Sequence, residues 1–162
     1  MRPAAMLLVL LSSVLAACAG ARARPDARHL PDDFSLSVAV QPGGGREPAW
    51  YVIEPDGTLR AAIGARRPDS PRPAGVRTLT RDQVRGVWEL ACAAGLAGEH
   101  HGEGKVSTTL PGSPAGAAVV EVASAGKRRT VAAPAPSDAS GAGLSKLLER
   151  LRELAWIEPA GT

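Results

Sequence analysis

The chain has 162 residues, of which 44% are hydrophobic and 22% charged, the balance of one globular domain, and a net charge of +3 that is too small to mark a nucleic-acid binder. Aromatic residues make up only 3%, whereas there are 18 Gly and 14 Pro, so a lean core and long loops are expected. No stretch interleaves Arg with aromatic residues, which further excludes a nucleic-acid surface.

The N-terminus carries a positive residue, Arg2, then the apolar run Met6, Leu7, Leu8, Val9, Leu10 and Leu11 with Val14 and Leu15, and two small residues before Cys18. That is the arrangement of a secretory signal, and the run is shorter than the ~20 apolar residues a membrane span needs. Leu15-Ala16-Ala17-Cys18 resembles the lipobox of bacterial lipoprotein signal peptides. The resemblance implies that residues 1–17 are removed, that the Cys18 thiol is acylated, and that the mature chain is lipid-anchored in the bacterial cell envelope. Ala19, where Asp would retain a lipoprotein in the inner membrane, leaves the outer membrane and the periplasmic face of the inner membrane both open by the same resemblance. With Cys18 acylated, Cys92 has no partner in the chain, so no structural disulfide is expected.

Residues 18–32, rich in Ala, Arg, Pro and Asp without an apolar period, read as the lipidated Cys and a flexible tether. A single domain is expected over 33–158, with a short tail at 159–162. Its first strand is marked by Phe34, Leu36, Val38 and Val40 alternating with Ser35, Ser37 and Ala39, the period of a half-buried strand. Gly43-Gly44-Gly45 interrupts it, and Trp50, Tyr51, Val52 and Ile53 begin a hairpin whose turn is Pro55-Asp56-Gly57. Residues 65–75 form a loop, and 75–79 fit one more short strand.

Thr80-Arg81-Asp82-Gln83 is a capping box that opens an amphipathic helix. Its apolar arc is Val84, Val87, Trp88, Leu90, Ala91, Cys92 and Ala94, and Gly95 supplies a left-handed stop. Cys92 lies on the edge of that arc without a neighbouring base, which suits packing rather than nucleophilic chemistry. Residues 97–116 read as a polar, Gly-rich loop. A second hairpin follows over 117–133 with its turn at Ser124-Ala125-Gly126. A Pro, Ser, Ala and Gly linker then leads to a last helix over 143–155, striped by Leu144, Leu147, Leu148, Leu151 and Leu154. The order predicts an α+β fold: an antiparallel sheet built from two hairpin regions, with the two helices packed on one face.

Chemistry is sparse. Glu99-His100-His101-Gly102-Glu103 groups the candidate metal ligands His100, His101 and Glu103, but adjacent His residues beside Gly diverge and lack the i, i+4 helical spacing of zinc proteases. Gly102-Glu103-Gly104-Lys105 lacks both the leading Gly and the trailing Ser or Thr of a phosphate-binding loop. Gly112-Ser113-Pro114-Ala115-Gly116 misses the nucleophile-elbow spacing by one residue. Asp32-Asp33 precede the first strand and end the tether. No catalytic residue and no cofactor are assigned.

From Leu79-Thr80 to Gly95-Leu96, through the Gly126-Lys127 turn, to the leucine-rich helix 144–155, the element order is similar to emfourin-like inhibitor domains of thermolysin-type proteases and to lipoproteins of GC-rich bacteria. No functional residue carries over. The expected function is a lipid-anchored envelope protein with a small non-catalytic domain, held to the membrane by Cys18 and serving as a protein-binding or accessory module. The alternatives are an emfourin-like inhibitor of a secreted metalloprotease, or a small hydrolase or metal-binding protein built on His100, His101 and Glu103.

Overall fold

The computed structural model describes residues 25–41, 47–64, 72–98, 106, 116–134 and 142–156. Its elements are β1 (Ser35–Gln41), β2 (Ala49–Ile53), β3 (Thr58–Ile63), β4 (Ala74–Thr78), α1 (Arg81–Ala93), β5 (Ala117–Ser124), β6 (Lys127–Pro134) and α2 (Ala142–Ala155). The strands form one six-stranded sheet in the order β4-β3-β2-β1-β5-β6, with every neighbouring pair antiparallel. The α+β expectation therefore holds. The two hairpin regions join because β1 is paired on both sides, Leu36 standing opposite Ile53 of β2 and opposite Val122 of β5.

The helix-covered face follows from strand alternation. Leu36 and Val38, Tyr51 and Ile53, Leu59, and Ala118, Val120 and Val122 share one core with Val84, Val87, Trp88 and Ala91 of α1 and Leu144, Leu147, Leu151 and Leu154 of α2. At its centre the Trp88 and Phe34 rings meet edge-on, with centroids 5.2 Å apart at 67°, a geometry that adds ~1 kcal/mol to the burial of the two rings.

The helix ends are closed by the residues that announced them. Thr80 Oγ1 accepts from Gln83 N at 3.3 Å, and Gln83 Oε1 accepts from Thr80 N at 2.9 Å. At the other end Leu96 N donates to Ala91 O and Gly95 N to Cys92 O, a Schellman closure around Gly95 at φ +69°. The last turn of α1 holds no basic side chain of its own, and Arg129 Nη1 from β6 donates to Gly95 O at 2.9 Å instead. The first turn of α2 lies so near that a Cβ built on Gly143 would stand 2.9 Å from Ala94 Cα.

Two expectations need correction. Ser35 and Ser37, read as the solvated side of a half-buried strand, are 3% and 0% exposed, because the second face of the sheet is covered too. Ala39, Trp50, Val52 and Ala123 form a second apolar cluster there with Val106, which comes from the stretch read as a polar loop. Further back, the stretch read as tether touches the domain at its C-terminal end. Leu30 packs against the main core, and Asp26 O accepts from Trp88 Nε1 at 3.3 Å.

Candidate functional site

Cys18, His100, His101 and Glu103 lie outside the described residues, so their surroundings are not placed. Among the described residues no three His, Cys, Asp or Glu side chains are grouped to hold a metal ion. The other candidates are occupied structurally. Burial, with the nearby Asp26 and Glu89 charges, pushes the Cys92 thiol up to about 11, so it stays protonated and weakly nucleophilic near neutral pH. The Asp56 carboxyl is held below its usual range by the backbone N–H of Thr58, which donates to Oδ1 at 2.8 Å. Asp32, exposed, pairs with Arg81 at 3.1 Å.

The described side chains that the sequence put far apart come together at one end of the sheet. Register places the Pro55-Asp56-Gly57 turn, the Ala125-Gly126 turn, the start of β1 and the end of β4 at this turn end. Gly57, at φ +83°, donates to Glu54 O and accepts from Leu79 N, and a Cβ on it would stand 3.0 Å from Leu79 O. Ala125 and Gly126 both take positive φ, 52° and 71°, the two-residue turn that favours Asn-Gly. Here the strained Ala is supported by Asp33, whose carboxylate accepts from Ala125 N at 2.6 Å and from Gly126 N at 2.5 Å. The second member of the Asp32-Asp33 pair thus fastens a turn.

Leu30 and Pro31 cross the same end and, with Leu79, Val84, Asp56 and Arg81, line an open depression of about 190 Å³. Ligand pockets run to ~300–1,000 Å³, so it suits a side chain better than a small-molecule substrate. At the neighbouring corner Arg77, opposite Leu59, donates from Nη2 to Trp156 O at the end of α2. The Trp156 side chain itself is 67% exposed.

At the opposite end stand Gln41, Ala49, Ile63, Ala74, Ala117 and Pro134, the strand residues that meet the connections 42–48, 64–73, 99–116 and 135–141. The connection carrying His100, His101 and Glu103 enters β5 at this loop end.

Two features escaped the sequence reading. Glu121 is 8% exposed on the second face, opposite Ser37 of β1 and Thr130 of β6, next to the bond that Trp50 Nε1 makes to Ser37 Oγ at 3.1 Å. Its signal was a carboxylate within an otherwise apolar strand, Ala117-Ala118-Val119-Val120-Glu121-Val122. Trp156 was passed over because it follows the last residue of the leucine stripe; an aromatic residue outside the stripe was the available sign of exposure. No protein-family model matches the chain, and no curated protein matches it in sequence.

Proposed function

We propose that this chain is a lipid-anchored protein of the bacterial cell envelope, acylated on Cys18, whose domain is a non-catalytic protein-binding or accessory module. The observation that carries the reading is Leu15-Ala16-Ala17-Cys18 directly behind a short apolar run with a basic start. The reading is supported by the short distance from Cys18 to folded structure, eight residues to Asp26 and twelve to Leu30, which would hold the domain beside the membrane. The non-catalytic part is supported by the employment of reactive groups elsewhere: Asp33 in a turn, Asp56 on a backbone N–H, and Cys92 as a protonated thiol.

Metabolic labelling with a tagged fatty acid, combined with membrane fractionation, tests the anchor. Wild type is expected to carry label and sediment with membranes, and Cys18→Ala to lose the label and remain as uncleaved precursor. Label retained in Cys18→Ala, or a wild type carrying none, refutes it. The non-catalytic reading fails if the purified chain holds stoichiometric zinc that is lost in His100→Ala.

A further inference from the structure

We propose that the turn end of the sheet is a bilayer-docking surface, with the Trp156 indole seated among zwitterionic phospholipid headgroups. The proposal rests on acylation of Cys18.

The first argument is the length of chain between anchor and domain. From Cys18 to Asp26 the chain reaches at most ~29 Å, the limit set by full extension. It meets the domain on α1 at Trp88 and crosses the turn end at Leu30 and Asp33. The eight residues of β5 span ~26 Å from one end of the sheet to the other. Turning the loop end toward the bilayer lifts the point of attachment by about that distance, close to the tether's limit. With the loop end down, the chain has almost no reach to spare, whereas the turn end can meet the lipid at any extension of the chain.

The second argument is independent of the tether. Trp156 is 67% exposed at this same end, fixed by the bond from Arg77 to its backbone carbonyl. Indole, with an apolar body and one N–H donor, partitions to the headgroup level of bilayers. At the turns and the segment crossing them, Arg81 pairs with Asp32 at 3.1 Å and Arg60 with Glu54 at 2.8 Å, and Arg77 and Lys127 are matched in number by Asp33 and Asp56, so this surface carries no cationic excess that demands anionic lipid. The other exposed large apolar side chain among the described residues, Ile63 at 55%, stands at the loop end and serves as a control.

The chain supplies its own reporter, because Trp50 and Trp88 are 6% and 1% exposed and only Trp156 meets solvent. The processed protein, purified from membranes, is reconstituted in phosphatidylcholine vesicles with brominated acyl chains. Expected are a blue shift and partial quenching of tryptophan emission, insensitive to salt. Both should be absent in Trp156→Phe and in the double variant Trp156→Phe, Ile63→Trp, although each still binds vesicles. Unquenched, acrylamide-accessible Trp156 emission from vesicle-bound wild type overturns the proposal, as does equal quenching when the reporter is moved to position 63. Mass spectrometry of the N-terminal peptide separates the two readings. If Cys18 lacks acyl groups the lipoprotein reading fails alone, and coupling a maleimide lipid to Cys18 in Cys92→Ala lets the same quenching decide the docking.

Discussion

Two glycines in helices make a matched test of how α1 and α2 meet. Replacing Gly by Ala in a helix interior gains ~1 kcal/mol from propensity when nothing opposes it. Gly86, within α1, has no atom within 4 Å of a built Cβ, so Gly86→Ala should stabilise by about 0.5–1 kcal/mol. Gly143 differs: its Cβ would lie 2.9 Å from Ala94 Cα and 3.0 Å from Ala94 Cβ. Ordinary carbon contacts are ~3.5–4.0 Å, and the nearer neighbour is backbone, so relief requires the helices to part. Overpacking of that size costs about 1–3 kcal/mol, and propensity gains less than its full value in a first turn. Gly143→Ala should therefore destabilise by about 1–2 kcal/mol. Urea or thermal unfolding of the chain expressed without residues 1–18, followed by far-UV circular dichroism, measures both. At this domain size each kcal/mol moves Tm by ~3–5 °C, so the two variants should shift in opposite directions. A Gly143→Ala protein as stable as Gly86→Ala would refute the close approach of the helices and the reasoning built on it.

The β5–β6 turn gives the next test. Ala125→Gly should stabilise by about 0.5–1 kcal/mol by relieving the positive φ, and Asp33→Ala should cost about 0.5–1.5 kcal/mol, because the two exposed turn N–H groups exchange their carboxylate for water. Equal unfolding midpoints for Asp33→Ala and wild type would show that the carboxylate does not hold the turn. Alkaline stability is the other. The Cys92 thiol is raised from 9.0 to about 11 by burial, so above pH 9 the unfolded chain gives up the proton first and stability falls up to about pH 11. Discounted for solvent screening, the loss is ~1 kcal/mol. Tyr51, also raised by burial although Arg152 opposes it, extends the decline above pH 10. Cys92→Ala should flatten the first part of the denaturation midpoint against pH, and an unchanged slope would remove the thiol as its cause.

What was legible in the sequence was local. The capping box at Thr80, the stop at Gly95, the Pro55 to Gly57 turn and the leucine stripe of α2 each depend on residues within one or two turns of chain, and each stands where the pattern put it. The second face was not legible. Alternation in β1 shows that Ser35 and Ser37 point away from Leu36 and Val38, yet it is silent on whether that side is covered. The cover includes Val106, one apolar residue in a Gly-rich stretch with no period to betray it. The roles of Asp33 and Arg77 escaped for a related reason. Asp33 acts on a turn 92 and 93 residues later and Arg77 on a carbonyl 79 residues later, pairings no local window contains.

The place of β1 has a consequence for the order in which the molecule can be built. As the chain is synthesised, β1 to β4 and α1 emerge together and can pair as a meander, but the β1 partner on the other side, β5, arrives only after the long connection at 94–116. Until then the strand that will be the middle of the sheet is an edge, with its outward N–H and C=O groups bare and Leu36, Val38 and Val40 beside them. A half-made chain of this kind leaves an edge on which the β5–β6 ribbon of another copy can pair, in competition with its own ribbon, whose covalent link gives it the higher effective concentration once it emerges. Exchange of β5–β6 between copies is therefore expected to rise with the concentration of nascent chains and to fall when each chain is held apart until residue 134 has emerged.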